Sequence, residues 1–125
     1  MATFSLHHLH HETADVDATV SFYCDNFGGE IAERTERDGV QWARVTIGGA
    51  MMNVTDRGDT KIGLSRYEGL DHFGLQTDDF DGAIAALKKN RVQFFIEPMS
   101  PSPGVQIAFV VGPDNVKIEL LHINS

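Results

Sequence analysis

His8 and His72 occupy matching places in two copies of one pattern. The run from Leu6 to Asp17 aligns with the run from Leu70 to Asp81, and five positions recur: Leu6/Leu70, His8/His72, Thr13/Thr77, Asp15/Asp79 and Asp17/Asp81. The offset is 64, about half of the 125-residue chain. An imidazole can bind a divalent metal or carry a proton near neutral pH. Two of them at equivalent positions of an internal repeat imply two similar modules, each bringing a histidine to a shared place. His10 and Glu12 share the strand face of His8, and their counterparts in the second copy are Gly74 and Gln76. The first strand therefore carries a polar string that the second lacks. Burying such groups without partners costs about 1–3 kcal/mol each. A solvated or ligand-filled cavity is the simplest reason to tolerate them.

The elements that must position these residues follow from period and punctuation. Residues 4–12 alternate as a strand, with Phe4, Leu6, His8, His10 and Glu12 on one face. His7 and His11 then point to the other face as structural groups, and His122 is read the same way. Asp15 is a helix N-cap and Asp17 lies in the first turn, where the helix dipole favours it. Val16, Val20, Tyr23 and Phe27 form one helical face, and Gly28-Gly29 ends the helix. Strands follow at 30–35, 40–47 and 50–55. In the strand at 40–47, Trp42, Arg44 and Thr46 share one face, while Ala43, Val45 and Ile47 share the face under the helix.

The second half repeats this order. It reads as a strand at 70–76, then a helix capped by Asp79 with Phe80, Ala83, Ile84 and Leu87 on its apolar face. Strands at 92–97, 105–111 and 116–122 complete it, with a proline-rich loop over 98–104. The fold class is therefore α+β, built from two βαβββ modules over 1–57 and 69–125 with a linker at 58–68.

Composition narrows the function. Hydrophobic content of 42% and charged content of 22% are those of an ordinary globular chain. A net charge of −8 disfavours nucleic acid and anionic membranes, which are bound by basic patches. No apolar run approaches the length of a membrane span, and no signal peptide is visible at the N-terminus. The single cysteine, Cys24, excludes an internal disulfide framework, fits a cytoplasmic location and is expected to be an inert thiol.

With these residues in view the chain resembles the vicinal oxygen chelate superfamily of glyoxalases, bleomycin and fosfomycin resistance proteins and extradiol dioxygenases. The resemblance rests on His8, Asp15 and Phe22-Tyr23, and on His72 and Asp79 in the second module. It also rests on the ending from Gly112 to Leu120, which is similar to the family's Asp-Pro-Asp-Gly-Asn-x-Ile-Glu-Leu signature, with Gly112 and Asn115 as departures. It implies a cupped mixed sheet with helices on its convex face, and ligand positions at His8, Asn53, His72 and Glu119. The spacings agree, 45 residues from His8 to Asn53 and 47 from His72 to Glu119.

His8, His72 and Glu119 would then hold a divalent metal ion: Zn, Ni, Co, Mn or Fe. Asn53 is the weakest part of the set, because a neutral amide is a poor ligand and no base. Glu119 is left as the metal-site base, and His10 is a ligand, an acid–base group or a substrate-binding residue. Arg44 could hold a substrate carboxylate or phosphate or form only a surface salt bridge. Trp42, Met51, Asn53, Glu12, Gln76 and Lys117 complete the expected substrate-binding set. The implied activity is that of a glyoxalase-like lyase or isomerase acting on a small oxygenated metabolite. An Fe(II) dioxygenase, a metal-dependent transferase acting on an epoxide antibiotic, a metal-free antibiotic-binding resistance protein and a metal-free relic remain alternatives. A homodimer is expected, because members of this family commonly pair modules from two chains.

Overall fold

A computed structural model of the chain describes residue 3, residues 6–65 and residues 70–124. The expected strand position of Phe4 and the linker residues 66–68 lie outside the described residues. The chain divides into two compact units, Met1–Thr60 and Lys61–Ser125. The first contains β1 (Leu9–Glu12), α1 (Val16–Phe27), β2 (Glu30–Arg37), β3 (Val40–Ile47) and β4 (Ala50–Thr55). The second contains β5 (Phe73–Gln76), α2 (Phe80–Lys89), β6 (Gln93–Ser102), β7 (Val105–Val111) and β8 (Lys117–Ile123). A turn of 3₁₀ helix at Pro113–Asn115 joins the last two strands. Each unit is βαβββ, folded into a four-stranded mixed sheet, in the order β1-β4-β3-β2 and β5-β8-β7-β6. The α+β class with two βαβββ modules is the one expected.

The helix signals act as written. The Asp15 side chain accepts the backbone N–H of Ala18 and that of Asp79 accepts the N–H of Gly82, both at 3.0 Å. At the end of α1 two glycines serve different needs. Gly28 takes a left-handed φ of 66°. A Cβ on Gly29 would stand 2.9 Å from Val45 Cγ1 and 3.1 Å from the Tyr23 carbonyl oxygen, so that site demands the missing side chain.

α1 packs on β3 and β4, which buries Val16, Val20 and Tyr23 with Ala43, Val45, Ile47, Met52 and Val54. Phe80 and Leu87 of α2 are buried, as are Ala108, Val110, Ile118 and Leu120 of the second sheet. These alternating strand residues fix which face of each sheet remains open, because neighbouring positions point to opposite sides.

Two sequence expectations change. Among the described residues, the strands expected over 4–12 and 70–76 form ladders from Leu9 and Phe73 onward, where β4 and β8 run alongside. His8 and His72 thus each stand one residue ahead of their ladder. The proline-rich stretch at 98–104 is not a loop, for β6 continues to Ser102. β6 is an edge strand, and two of its three register shifts fall between Ile96 and Met99 and between Met99 and Ser102. Pro98 and Pro101 sit in those two irregular stretches, where a missing N–H costs the ladder nothing. Among the described residues no helix is long and apolar enough to cross a membrane.

Leu87 is 1% exposed. Leu87→Ala is expected to cost about 2–5 kcal/mol in chemical denaturation, the range for truncating a buried leucine. A cost below half a kcal/mol would mean that α2 does not seal its sheet through this residue.

Candidate functional site

In the second module the register Gly74↔Glu119 sets the chemistry. His72 stands just before β5 and Glu119 lies in β8, with Nε2 of His72 3.2 Å from Oε1 of Glu119. The other ring nitrogen, Nδ1, is 2.8 Å from Oδ2 of Asp71. Asp71 also accepts a hydrogen bond from Lys117 Nζ at 3.0 Å through Oδ1. Hydrogen bonds from His72 and Lys117 hold the Asp71 carboxyl below the usual carboxylate range. The edge of Phe109 meets the His72 ring at a centroid distance of 4.8 Å. Gly74 keeps space beside the carboxylate, since a Cβ there would lie 3.2 Å from Leu121 Cδ2 and 3.7 Å from Glu119 Oε1.

This pair fits a divalent ion. A carboxylate on Nδ1 is the usual orienter of a metal-binding histidine. With Nδ1–H given to Asp71, Nε2 of His72 and the Glu119 carboxylate would be the groups that hold such an ion, which would supply Lewis-acid polarisation there. Within neither module do three His, Cys, Asp or Glu side chains gather to hold a metal, among the described residues. The second module supplies two donors, His72 and Glu119.

In the first module His8 is exposed, with its Nδ1 2.8 Å from Nδ1 of His7. His10 pairs in register with Asn53, as Gly74 does with Glu119. Asn53 is thus the structural counterpart of Glu119. Its carbonyl oxygen, the one atom that could ligate a cation, accepts a hydrogen bond from Arg44 Nε at 3.2 Å. Arg44, which pairs with Asn53 across β3 and β4, is also 3.9 Å from Glu33. A cleft of about 30 Å³, room for one water molecule, is lined by Trp42, Arg44, Asn53, Thr35, Arg37 and Glu33.

The polar string of β1 has partners within its own module. Nε2 of His10 lies 2.9 Å from both Thr55 Oγ1 and Glu12 Oε1. Thr55 in turn donates to Glu12 at 2.8 Å. With the hydroxyl proton so used, Nε2 of His10 is a donor and Nδ1 is the acceptor nitrogen. Glu12 also receives Arg57 Nε at 3.0 Å and the backbone N–H of Gly58 at 2.9 Å. Burial opposes ionisation of Glu12, but the hydrogen bonds from Thr55 and Arg57 outweigh it and its pKa falls below the ordinary value. Burial lowers the pKa of His10, with Arg57 and His8 adding to the effect against the pull of Glu12. Trp42 lies 6.0 Å from the His10 ring, and the guanidinium carbons of Arg37 and Arg57 each lie 5.5 Å from its ring centre.

The remaining expected site residues lie apart from these pairs. Met51 is half-buried, two residues before Asn53 on β4. Gln76 is exposed and borders an open depression of about 500 Å³ with Thr77, Asp78 and His122. His122 bonds the Thr77 carbonyl and Asn124 at 2.8 Å each, which raises its pKa. His11 is buried with Nδ1 2.9 Å from the Tyr23 hydroxyl, on the helix side of the sheet. Burial, with Asp25 and Glu30 nearby, raises the Cys24 thiol above its ordinary value, as suits an inert side chain. Sequence reasoning missed Thr55, Arg57, Asp71 and Phe109. Phe109 had a legible signal, as it occupies the place in its module that Arg44 takes in the other.

The family model of the Glyoxalase/Bleomycin resistance protein/Dioxygenase superfamily matches residues 5–120. No curated protein matches the sequence. Among the solved structures that the chain resembles are three proteins of different kinds. One is the fosfomycin resistance protein FosX from Listeria monocytogenes, with 17% identity over 98% of this chain and 96% of that one at a TM-score of 0.81. Another is TnmS3, an antibiotic binding protein from Streptomyces sp. CB03234, with 21% identity over 99% of both chains and a TM-score of 0.77. The third is a V278E mutant of glyoxalase I from Zea mays, with 22% identity over 93% of this chain and 43% of that one, also at 0.77. At such identities the likeness is one of fold.

Thr55 is fully buried and joins His10 to Glu12. Thr55→Val keeps the shape and removes the hydroxyl. It is expected to cost about 1–3 kcal/mol in urea denaturation, the range for buried groups left without a partner. An unchanged midpoint would show that Arg57 and Gly58 satisfy Glu12 without it.

Proposed function

The chain belongs to the Glyoxalase/Bleomycin resistance protein/Dioxygenase superfamily, and on that premise we propose that it is a divalent-metal-dependent lyase or isomerase acting on a small oxygenated metabolite. The observation that carries this reading is the pair His72–Glu119, with Asp71 on the far ring nitrogen. Proposed ligands are His72, Glu119 and His8, the last through its equivalence to His72 in the repeat. A bound ion would polarise a substrate carbonyl and steady the charge that develops on its oxygen. The protein's own residues do the rest. Glu119 takes a proton from the carbon beside that carbonyl. His10, held at Nε2 by Glu12 and Thr55, offers Nδ1 as the second proton-transfer atom. Arg44 and Trp42 hold the substrate.

One observation favours a second reading, a metal-free binding protein. Arg44 occupies the carbonyl oxygen of Asn53 and so withdraws the fourth position of the family pattern from ligation. TnmS3, an antibiotic binding protein, shares the fold. A homodimer and a cytoplasmic location are also proposed, and sedimentation velocity at micromolar concentration tests the first.

Metal analysis of protein purified without tag or chelator separates the readings. About one transition-metal ion per chain is expected, and none would leave the binding-protein reading standing. His8→Ala and His72→Ala should each lower metal content sharply without unfolding the chain. His10→Gln should retain the metal and slow turnover about 10²–10⁴-fold, the range for losing a general acid–base. Full occupancy in the His8 variant would remove His8 from the ligand set.

A further inference from the structure

We propose that Asp71, anchored by Lys117, is a positioning residue that fixes His72 as its Nδ1–H tautomer and so presents Nε2 to Glu119. The inference rests on the proposed metal reading and adds to it a part that the ligand set does not contain. Lys117 had been expected among the substrate-binding residues. Its side chain is only 3% exposed and ends 3.0 Å from Asp71 Oδ1. A buried ammonium is stabilised by a carboxylate at hydrogen-bond distance. That contact fixes the orientation of Asp71, which precedes β5 and has no ladder to hold it. With Oδ1 committed to Lys117, Oδ2 faces Nδ1 of His72 at 2.8 Å. A carboxylate is acceptor-only when ionised, so Nδ1 must carry a hydrogen toward Asp71; Glu119 asks the same of Nε2, and a bound cation would take the place of that second hydrogen. Phe109 packs against the same ring and restrains its rotation. The order of dependence runs from Lys117 to Asp71 to His72 to the ligand nitrogen.

A plain structural ion pair would also tie β8 to the start of β5, and the test must tell the two roles apart. Asp71→Asn keeps the shape but offers only one acceptor oxygen. Lys117 claims that oxygen, which turns the amide N–H₂ toward Nδ1 and makes Nδ1 an acceptor. His72 should therefore lose its Nδ1–H and keep only Nε2–H, toward Glu119, in the metal-free protein, read from ring-nitrogen shifts in long-range ¹H–¹⁵N NMR spectra. Cobalt(II) binding, followed by visible absorption, should weaken about 10–100-fold, the usual effect of losing such an orienting partner. The double variant Asp71→Ala with Lys117→Met removes both charges. It should melt close to the wild type, lose the Nδ1–H preference and bind cobalt as weakly as Asp71→Asn. If Asp71→Asn retains both Nδ1–H and wild-type cobalt affinity, or if the double variant regains them along with its stability, the pair is structural and the proposal is overturned. If the wild type takes up no cobalt, the metal reading fails, and the NMR spectra alone decide the role of Asp71.

Discussion

The parallel pairing of the first and last strand in each module is the constraint on which the rest depends. β1 and β5 are four residues long, and within its module each pairs with β4 or β8. Their register puts His10 opposite Asn53 and Gly74 opposite Glu119. A slip of one residue would turn every side chain of such a strand to the other face. The slip is resisted on the helix side, where Met52, Val54, Ile118 and Leu120 are buried. Apolar packing under the helices thus decides which polar groups meet on the open face of each sheet.

The two modules use the same backbone for different chemistry. At the position opposite the last strand's polar residue, the first module has Arg44 and the second has Phe109. At the facing position of the edge strand, one has His10 and the other Gly74. The open face of the first is therefore crowded with hydrogen-bonding groups and guanidiniums around Trp42. That of the second sets one carboxylate and one imidazole beside an aromatic edge and a vacant glycine. The first module keeps its groups in order through the hydrogen bonds that Glu12 accepts from Thr55 and Arg57. The second does so through a single buried ammonium at Lys117.

Much of this was legible in the residues. The repeat, the caps at Asp15 and Asp79 and the apolar alternation of β3 identify both modules, because each rests on local rules of period and capping. The strand in the proline-rich stretch was not legible. Proline punctuates a sequence in the same way whether it ends a strand or sits in a bulge of an edge strand, and only the pairing with β7 tells these apart. The His72–Glu119 pair was implied by the family resemblance, and the matching spacings of the two modules agreed with it. Asp71 was not, although it is the neighbour of His72. Adjacent residues in a ladder point apart, and the contact forms only because both precede the first ladder residue. Thr55 escaped for a similar reason. Threonine is common in strands, and nothing in one strand shows that its hydroxyl will join two groups of another.

The difference between Asn53 and Glu119 bears most on chemistry. They are counterparts by register, yet one is an amide and the other an acid. A mechanism that passes a proton between two equivalent carboxylates is therefore closed to this chain. Arg44 reinforces the asymmetry, because its guanidinium bonds the amide oxygen and supplies positive charge where the second module has a carboxylate. In the proposed lyase or isomerase reading, proton transfer would use unlike groups, the Glu119 carboxylate and the His10 imidazole. His10 has the attributes of that partner. Burial keeps its ring neutral further down the pH scale, while Glu12 and Thr55 settle which nitrogen carries the hydrogen. A neutral imidazole with one nitrogen committed has one lone pair to offer. Such an arrangement suits a transfer in which acid and base are chemically distinct groups.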